Sequence, residues 1–549
     1  MACLRRILFV LWIVGLAAQS QTHSSGYIGS KACFGCHTAI SRAFAKTDMG
    51  RSIRPAADLD TSSLPDSATV PVGSSARTIR AFYDQNGWYQ SYSEPNVFLE
   101  QYKLDYVIGA GASGLTFLVR HDNYLFQAPL SFYSKAGKWD LSPGYEGADI
   151  GFTRLVPEAC TVCHAGRVRA VANRNSQYLD PPFEQLSIGC ENCHGPGERH
   201  VETLGQSPAS IVNPARLSPR LAEEICMECH QRGDARILQP GRTYNDFRPG
   251  QWLLETLAIF KVPVQSGQHN QSDLLEHDDA MKASRCFRAS NGRLSCLTCH
   301  DPHAQPRGAE TLAYFRNKCF TCHTDASCRL PRSARLRSNP PDNCIGCHMP
   351  KRNVAVISHT ALTNHRIPAI PGNTAPEQQQ PDPRTRLILV DRPAAGNASV
   401  SDLTLLRAYA ELAGSDPTYQ SDYLQLLQRL SQKDSNDPFV QAALGHKALA
   451  EGRSEEALGH LYRGASLGNA TVYSDIAQAL LNLGRSAEAI GYQQQAASVE
   501  PFDASVQKKL ILQYINLKRY ADAQRAMKQY VTLFPGDTFM RGLLARVSN

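Results

Sequence analysis

Residues 190–200 read CENCHGPGERH, in which two cysteines three positions apart are followed at once by a histidine. The same C-x-x-C-H unit occurs seven times in the chain of 549 residues. With 17 cysteines and 17 histidines, about 0.02 such units are expected by chance, so the repetition reflects a chemical requirement. The seven units contain Cys33, Cys36 and His37; Cys160, Cys163 and His164; Cys190, Cys193 and His194; Cys226, Cys229 and His230; Cys296, Cys299 and His300; Cys319, Cys322 and His323; and Cys344, Cys347 and His348.

This unit is the attachment motif of c-type haem. Two thiols at this spacing reach both vinyl groups of one porphyrin edge as thioethers, and the adjacent histidine ligates the iron. A structural zinc site needs four ligands where one unit offers three, and a thioredoxin-like pair needs no following histidine. The sequence therefore predicts seven covalently bound haems, with the fourteen motif cysteines as attachment points and the seven motif histidines as proximal ligands.

The sixth ligand of each iron distinguishes an electron carrier from an enzyme with an open haem. The strongest candidates are His200, His303, His359 and His365, with His121 and His277 as weaker ones. His200 and His303 lie too close to their own motifs to reach over the same haem, so each is expected to serve a neighbour. For the isolated first motif the candidate is Met49, which lies about three helical turns beyond His37 if that segment is helical.

The amino terminus has the pattern of an export signal. Arg5 and Arg6 precede a short apolar run that ends in small residues, which predicts a signal peptide over residues 1–20 and an extracytoplasmic, periplasmic location. The run is short for a membrane anchor, and no later segment is apolar enough to span a bilayer. The formal net charge of +7 falls to +5 on cleavage, which does not suggest nucleic acid as a partner.

Residues 75–145 are predicted to form an antiparallel β insert between the first and second motifs. One hairpin is expected around Asn86-Gly87 and another around residues 121–123. Within this insert, Gly109, Gly111 and Gly114 have the G-x-G-x-x-G spacing of a dinucleotide site. A β-type run follows them where such a site needs a helix, so they are expected to form a bend instead.

The end of the chain has a different composition. A linker rich in proline and glutamine is predicted over residues 367–400, followed by alanine- and leucine-rich helices over 401–549. Ala457, Ala489 and Ala523 recur at intervals of 32 and 34 residues, a period typical of tetratricopeptide repeats. Repeats are expected at about 437–469, 470–501 and 502–535, and such stacks either dock partner proteins or pack on the neighbouring domain.

Two cysteines of the expected mature chain lie outside the motifs, Cys286 and Cys328. A disulfide between them is the ordinary expectation for an exported protein, and free thiols near a haem are the alternative.

The segments YIGSKACFGCH, GCENCHGPGERH, LTCHDPH and CIGCHMPKR make the haem region, residues 24–366, resemble a class of exported multihaem cytochromes. That class contains the tetrahaem cytochrome c of nitrifiers, the pentahaem nitrite reductases and hydroxylamine oxidoreductase. The whole layout is most similar to multihaem cytochromes that end in tetratricopeptide repeats. The resemblance implies that His200 and His303 occupy distal-ligand positions, whereas Met49 stands where the tetrahaem cytochrome has a histidine.

The expected fold is therefore mainly α. A cytochrome domain with sparse short helices and an antiparallel β insert precedes an α-solenoid of tetratricopeptide repeats. The favoured function is electron transfer between redox partner proteins through seven haems, with the repeats docking one partner. The alternative is an oxidoreductase that acts on a small nitrogen or sulfur compound at one open haem.

Overall fold

The computed structural model describes residues 26–60, 62, 64–73, 75–145, 151–174, 176–263, 276–351, 363–370, 386–390, 400–433 and 436–548. The predicted signal peptide, His359 and most of the predicted linker lie outside these residues. In the part of the chain that the structure describes, every helix is too short or too polar to cross a lipid bilayer.

Ten antiparallel strands form two sheets between the first and second motifs. One sheet has the order β2-β3-β4-β5; the other has the order β1-β6-β7-β9-β10, with β8 paired to β7. The strands are β1 (Ile53–Pro55), β2 (Ser67–Pro71), β3 (Thr78–Asp84), β4 (Gly87–Glu94), β5 (Phe98–Lys103), β6 (Tyr106–Ile108), β7 (Gly114–His121), β8 (Tyr124–Gln127), β9 (Leu130–Tyr133) and β10 (Lys138–Leu141).

Both predicted hairpins are present in these sheets. Asp84 pairs with Gly87 across the first turn, and His121 pairs with Tyr124 across the second. Apolar side chains from both sheets share a core in which the Trp139 ring lies 5.4 Å from Trp88 and 5.2 Å from Phe117. The sheets therefore have an apolar core of their own.

The glycines with the dinucleotide-site spacing form a turn between β6 and β7. Gly109 and Gly111 have φ angles of 100° and 92°, which side chains disfavour, and a Cβ on Gly109 would lie 2.8 Å from the Gly114 carbonyl oxygen. Gly114 begins a strand and not a helix, so the expected bend is confirmed.

Short helices carry or flank the seven motifs. The first motif follows a 3₁₀ turn at Ser30–Cys33. The helices are α1 (Thr38–Phe44), α2 (Glu158–Thr161), α3 (Cys190–His194), α4 (Glu198–Glu202), α5 (Pro219–His230), α6 (His277–Lys282), α7 (Arg285–Ala289), α8 (Cys296–Cys299), α9 (Glu310–Phe320), α10 (Arg332–Leu336) and α11 (Cys344–His348).

Strands are more frequent in the haem region than the sequence analysis predicted. β1 and β2 precede the predicted insert, and two further antiparallel sheets lie among the motifs. These consist of β11 (Ala165–Ala170) with β12 (Tyr178–Ser187), and of β13 (Ala235–Leu238), β14 (Leu257–Lys261) and β15 (Ile388–Leu389). β1 has only three residues, which are too few to show the period of two that indicates a strand. It is held by pairing with β6, in which Val107 lies opposite Arg54 although the two residues are 53 positions apart.

Among the described residues after 400, nine α-helices form four antiparallel pairs and a final single helix. They are α12 (Asp402–Ser415), α13 (Gln420–Gln432), α14 (Pro438–Ala450), α15 (Ser454–Gly464), α16 (Ala470–Asn482), α17 (Ser486–Val499), α18 (Ala504–Asn516), α19 (Tyr520–Leu533) and α20 (Thr538–Ser548). The last three complete pairs lie within the three expected repeats. Asp437, Asn469 and Asp503 each cap the first helix of a pair by accepting backbone N–H groups, so a polar side chain fixes the start of each repeat.

The helical stack packs on the rest of the protein through two apolar contacts, besides polar ones such as that of Arg77, just before β3, with the Gly536 carbonyl at 2.8 Å. At the first, Leu405 and Leu406 of α12 share one apolar core with Ala258 and Phe260 of β14. At the second, the Phe502 ring lies 4.7 Å from the ring of Phe126 in β8. The solenoid is therefore attached to both the haem region and the β insert.

Candidate haem-binding sites

The motif cysteines are placed by short helical turns that close on local side chains. In α3, the Asn192 side chain accepts the N–H of Gly189 at 2.8 Å and donates to the Gly166 carbonyl at 2.9 Å. This anchors the turn that carries Cys190 and Cys193, whose three-residue separation puts both thiols on one face of the helix. Within the described residues, no group of three or more His, Cys, Asp or Glu is arranged to hold a bare metal ion.

Two motif histidines stack against histidines from other parts of the chain. The rings of His37 and His200 have centroids 6.2 Å apart and planes 18° apart; for His194 and His303 the values are 6.0 Å and 13°. Two imidazoles that bind one metal from opposite sides, each through a nitrogen about 2 Å away, have centroids about 6 Å apart. Both pairs have the separation that a metal between them requires.

Four further histidines form a cluster. His230 and His277 have ring centroids 5.7 Å apart, and those of His300 and His365 are 6.2 Å apart. His277 and His365 lie 4.6 Å apart edge to face, so the two pairs are in contact. Each pair again consists of one motif histidine and one histidine from outside the motifs.

Backbone carbonyls orient several of these imidazoles. Nδ1 of His194 donates to the Val212 carbonyl at 2.8 Å, and Nδ1 of His365 donates to the Thr363 carbonyl at 2.9 Å. Nδ1 of His348 donates to the Pro368 carbonyl at 2.8 Å. Because a carbonyl can only accept, these contacts keep the proton on Nδ1 and leave Nε2 with the lone pair that a metal needs.

The surroundings of these imidazoles favour their neutral form. Burial, together with the neighbouring His365, His230 and His300, lowers the pKa of His277 to about 3. Burial also lowers the pKa of His194 and of His365. Nδ1 of His200 and of His277 is buried without a hydrogen-bond partner among the described residues. Neutral, partly unsatisfied imidazoles fit axial ligation of a haem iron.

The other predicted ligands are not placed in such a pair. Met49 is half-buried and begins a 3₁₀ turn at Met49–Arg51. His121 ends β7, where its ring contacts those of Tyr102 at 6.2 Å and Phe502 at 6.3 Å. His359 lies outside the described residues. Sequence spacing could not show which histidine pairs with which motif, because the pairs join residues up to 163 positions apart.

Cysteines of different motifs lie against one another. The thiols of Cys33 and Cys190 are in hydrogen-bond contact. So are the thiols of Cys163 and Cys229, and those of Cys226 and Cys296. Cys299 interacts electrostatically with Cys322, and Cys319 with Cys344. The attachment points of motif one therefore lie near those of motif three, and the attachment points of motif two near those of motif four. Motifs four, five, six and seven form a series in which each lies near the next.

The two cysteines outside the motifs are free thiols in the structure, not the expected disulfide. Cys286 lies near Cys299, Cys319 and Cys322, whereas Cys328 lies near Cys344. Both are half-buried beside motif cysteines of the fifth to seventh units. The structure agrees with the alternative in which these thiols lie near the attachment points.

The C-x-x-C-H motifs and the paired imidazoles are features of the class of multihaem c-type cytochromes. A sequence comparison supports this class. The chain is 22% identical over 179 residues to the C-type polyheme cytochrome OmcB of two strains of Geobacter sulfurreducens. The match covers 31% of this chain and 22% of OmcB, so the chain matches less than a quarter of the length of that relative. No protein-family model matches the chain.

Among solved structures, the chain is similar to the outer cell wall cytochrome OcwA, with a TM-score of 0.38 and 15% identity. This match covers 87% of the chain and 100% of OcwA. A second similar structure is that of MamA, with a TM-score of 0.19 and 19% identity over 27% of the chain and 76% of MamA. The second TPR domain of human RPAP3 has a TM-score of 0.18 and 21% identity over 20% of the chain and 98% of that domain. These TM-scores are too low to establish a common fold.

Proposed function

We propose that this chain is an extracytoplasmic electron-transfer protein that holds seven covalently bound haems and docks a partner through its helical repeats. Bound c-type haem supplies reversible one-electron chemistry at its iron. The chain's own residues attach each haem through two thioethers, ligate the iron and set the distance between neighbouring sites. The observation that carries the proposal is the presence of four imidazole pairs with the separation expected of two axial ligands.

The pairs suggest a ligand assignment for four motifs. His200 is opposite His37, His303 opposite His194, His277 opposite His230, and His365 opposite His300. For the first motif the stacked ring supports His200 in place of Met49, the candidate from the sequence. Met49, His121 and His359 remain candidates for the motifs of His164, His323 and His348.

Two axial imidazoles leave no open position on an iron, so these four sites suit electron transfer and not substrate binding. The contacts between motif cysteines further support this role. Thiols of motifs one and three, two and four, and four and five are in contact, so haems attached to these pairs of motifs would lie next to each other. A series of adjacent redox groups is the arrangement that transfer through the protein requires.

The repeats were expected either to dock a partner protein or to pack on the neighbouring domain, and different parts of the stack suit each role. Contacts at α12 and at Phe502 show that the stack packs on the remainder of the chain. The helices after Phe502 still present exposed apolar side chains, including Leu512, Tyr520 and Phe539. A partner-docking role therefore concerns the exposed faces of α18–α20 that lie outside these contacts and outside the contact of Arg77 with Gly536.

The test is EPR spectroscopy of the oxidised holoprotein, with carbon monoxide added to the reduced form. We expect low-spin haem signals and no binding of carbon monoxide. A high-spin haem that binds carbon monoxide would contradict the pure electron-transfer function and favour the oxidoreductase alternative. Haem content per chain, measured as pyridine haemochrome, tests the number seven.

The ligand assignment is tested by His200→Ala with Met49→Ala as the matched variant. We expect His200→Ala to convert one low-spin haem to a high-spin haem, whereas Met49→Ala leaves the EPR spectrum and the redox titration unchanged. Loss of a high-potential centre in Met49→Ala alone would restore Met49 as the ligand of the first motif.

A further inference from the structure

The loop between the sixth and seventh motifs is fixed by one buried arginine. Arg335 of α10 forms ion pairs with Asp325 and Asp342, the second at 3.4 Å. Asp342 also pairs with Arg316 of α9 at 3.2 Å, and its carbonyl accepts the N–H of Cys344 at 3.0 Å. The loop is thereby tied to both helices that carry these motifs.

The same loop presents arginine and leucine side chains to solvent. Arg329, Arg332 and Arg337 are exposed, and within the described residues none of the three has an ion pair or a side-chain hydrogen bond to a carboxylate. Leu330 and Leu336 alternate with them and are 56% and 48% exposed. We call these five residues the arginine–leucine face.

The surroundings of this face carry excess positive charge. Residues 301–351 contain eight Lys and Arg against four Asp and Glu. Two of the four acids, Asp325 and Asp342, are already paired with the buried Arg335. Asp325 offsets Arg332 in part, but the excess of positive charge remains, and the face attracts a negatively charged surface.

The face also lies at one end of the series of motif contacts. Cys319 interacts with Cys344, which belongs to the last motif of the chain. Cys322 and Cys347 of these two motifs are exposed, unlike most motif cysteines. A transient redox complex needs a small apolar contact near the redox group and complementary charge around it. The arginine–leucine face has both.

We propose that the arginine–leucine face docks an acidic redox protein and exchanges electrons with it at the end of the chain that carries the sixth and seventh motifs. The proposal rests on the electron-transfer function proposed above. The arginines orient the acidic partner by long-range attraction, and Leu330 and Leu336 form the dry centre of the contact. This surface is separate from the helical repeats, so the protein has docking sites for two partners.

The test measures electron transfer from reduced flavodoxin, an acidic redox protein, to the oxidised holoprotein by stopped flow. The variant is Arg329→Glu/Arg332→Glu/Arg337→Glu. The matched control is Arg80→Glu/Lys103→Glu/Lys135→Glu, which changes net charge equally at exposed positions of the β insert, away from both proposed docking surfaces. At low ionic strength we expect the arginine variant to slow the reaction about tenfold or more and to weaken its salt dependence, with a much smaller effect in the control.

Several results would overturn the proposal. Equal slowing in both variants would mean that net charge alone matters. A changed haem spectrum or redox titration in the arginine variant would mean that the arginines affect the haem sites themselves and not the docking of a partner. Loss of heparin binding with an unchanged flavodoxin rate would identify an anionic polymer as the ligand.

The strong small reductant dithionite, used at high ionic strength, separates failure of this proposal from failure of the proposed function. It reduces the haems without protein docking, so we expect equal rates for the wild type and both variants. If it reduces the holoprotein normally while flavodoxin does not distinguish the variants, electron transfer stands and the docking face is wrong. If it leaves the haems oxidised, the electron-transfer function itself fails.

Discussion

Residues 285–351 and the helical stack after residue 400 differ in how many apolar side chains they bury. Throughout 285–351, all of which the structure describes, the only buried residues are Arg335 and Asp342, and no apolar side chain is buried. In the stack, Leu461, Ile476 and Leu480 are fully buried against their neighbours. The first segment carries three motifs in 67 residues and lacks an apolar core of its own side chains, whereas the second has one. Under the proposed function, attached haem supplies the missing core of the first segment.

The largest expected effect comes from removing the attachment points in that segment. Replacing Cys296, Cys299, Cys319, Cys322, Cys344 and Cys347 by alanine leaves 285–351 without haem and without a core. We expect trypsin to cleave this segment within minutes while α12–α20 survive as a resistant fragment, because the helices bury their own apolar side chains. Mass spectrometry of the digest identifies the fragments, and the wild-type holoprotein is the control. Equal resistance of both proteins would show that side chains alone order the segment.

The boundary between the two regions is tested by Leu406→Ala. Leu406 is fully buried in the core that α12 shares with β14, so the truncation leaves a cavity. We expect a loss of about 2–5 kcal/mol in stability, measured as a lower thermal midpoint of the helical circular dichroism of the holoprotein.

The control for Leu406→Ala is Leu512→Ala, since Leu512 is 57% exposed. That truncation is expected to cost less than about 0.5 kcal/mol. Similar midpoints for the two variants would mean that the shared core contributes little to holding the stack.

The second attachment of the stack is tested by Phe502→Ala. The Phe502 ring contacts Tyr124 at 5.1 Å and Phe126 at 4.7 Å, so its removal separates the stack from the β insert at this point. We expect a loss of about 1–3 kcal/mol, smaller than for Leu406→Ala because Phe502 is only half-buried. Phe539→Ala, at a position that is 75% exposed, is the control, and denaturation followed by circular dichroism is the measurement.

The smallest effect concerns the β insert, whose core needs no haem. Partial burial raises the pKa of Glu100 in β5 to about 7, against the opposing hydrogen bond from Tyr102. The folded state thus keeps a proton that the unfolded chain releases near pH 4.5, so the free energy of unfolding falls as pH rises from about 4.5 to 7 and is constant above. Glu100→Gln is expected to stabilise the protein by about 1–2 kcal/mol at pH 8 and not at pH 4.5. Thermal denaturation at both pH values is the measurement. Equal gains in stability at pH 4.5 and pH 8 would contradict the raised pKa of Glu100.

The sequence identified the parts of this protein whose signals are local. The C-x-x-C-H spacing, the Asn86-Gly87 turn and the recurrence of Ala457, Ala489 and Ala523 each occur within a few residues or at a fixed period. The pairing of His37 with His200 could not be predicted in this way, because it is set by how distant segments pack. For the same reason β1 was missed, since its three residues are defined by their partner strand and not by their own pattern.

Strand β14 connects the two regions through few residues. Its Phe260 lies in the core shared with α12, and the next residue, Lys261, forms an ion pair with Asp279 of α6. The first residue of α6 is His277, the histidine that faces His230. The first helix of the stack is thus connected to the imidazole of His277 through one strand, one ion pair and one helical turn.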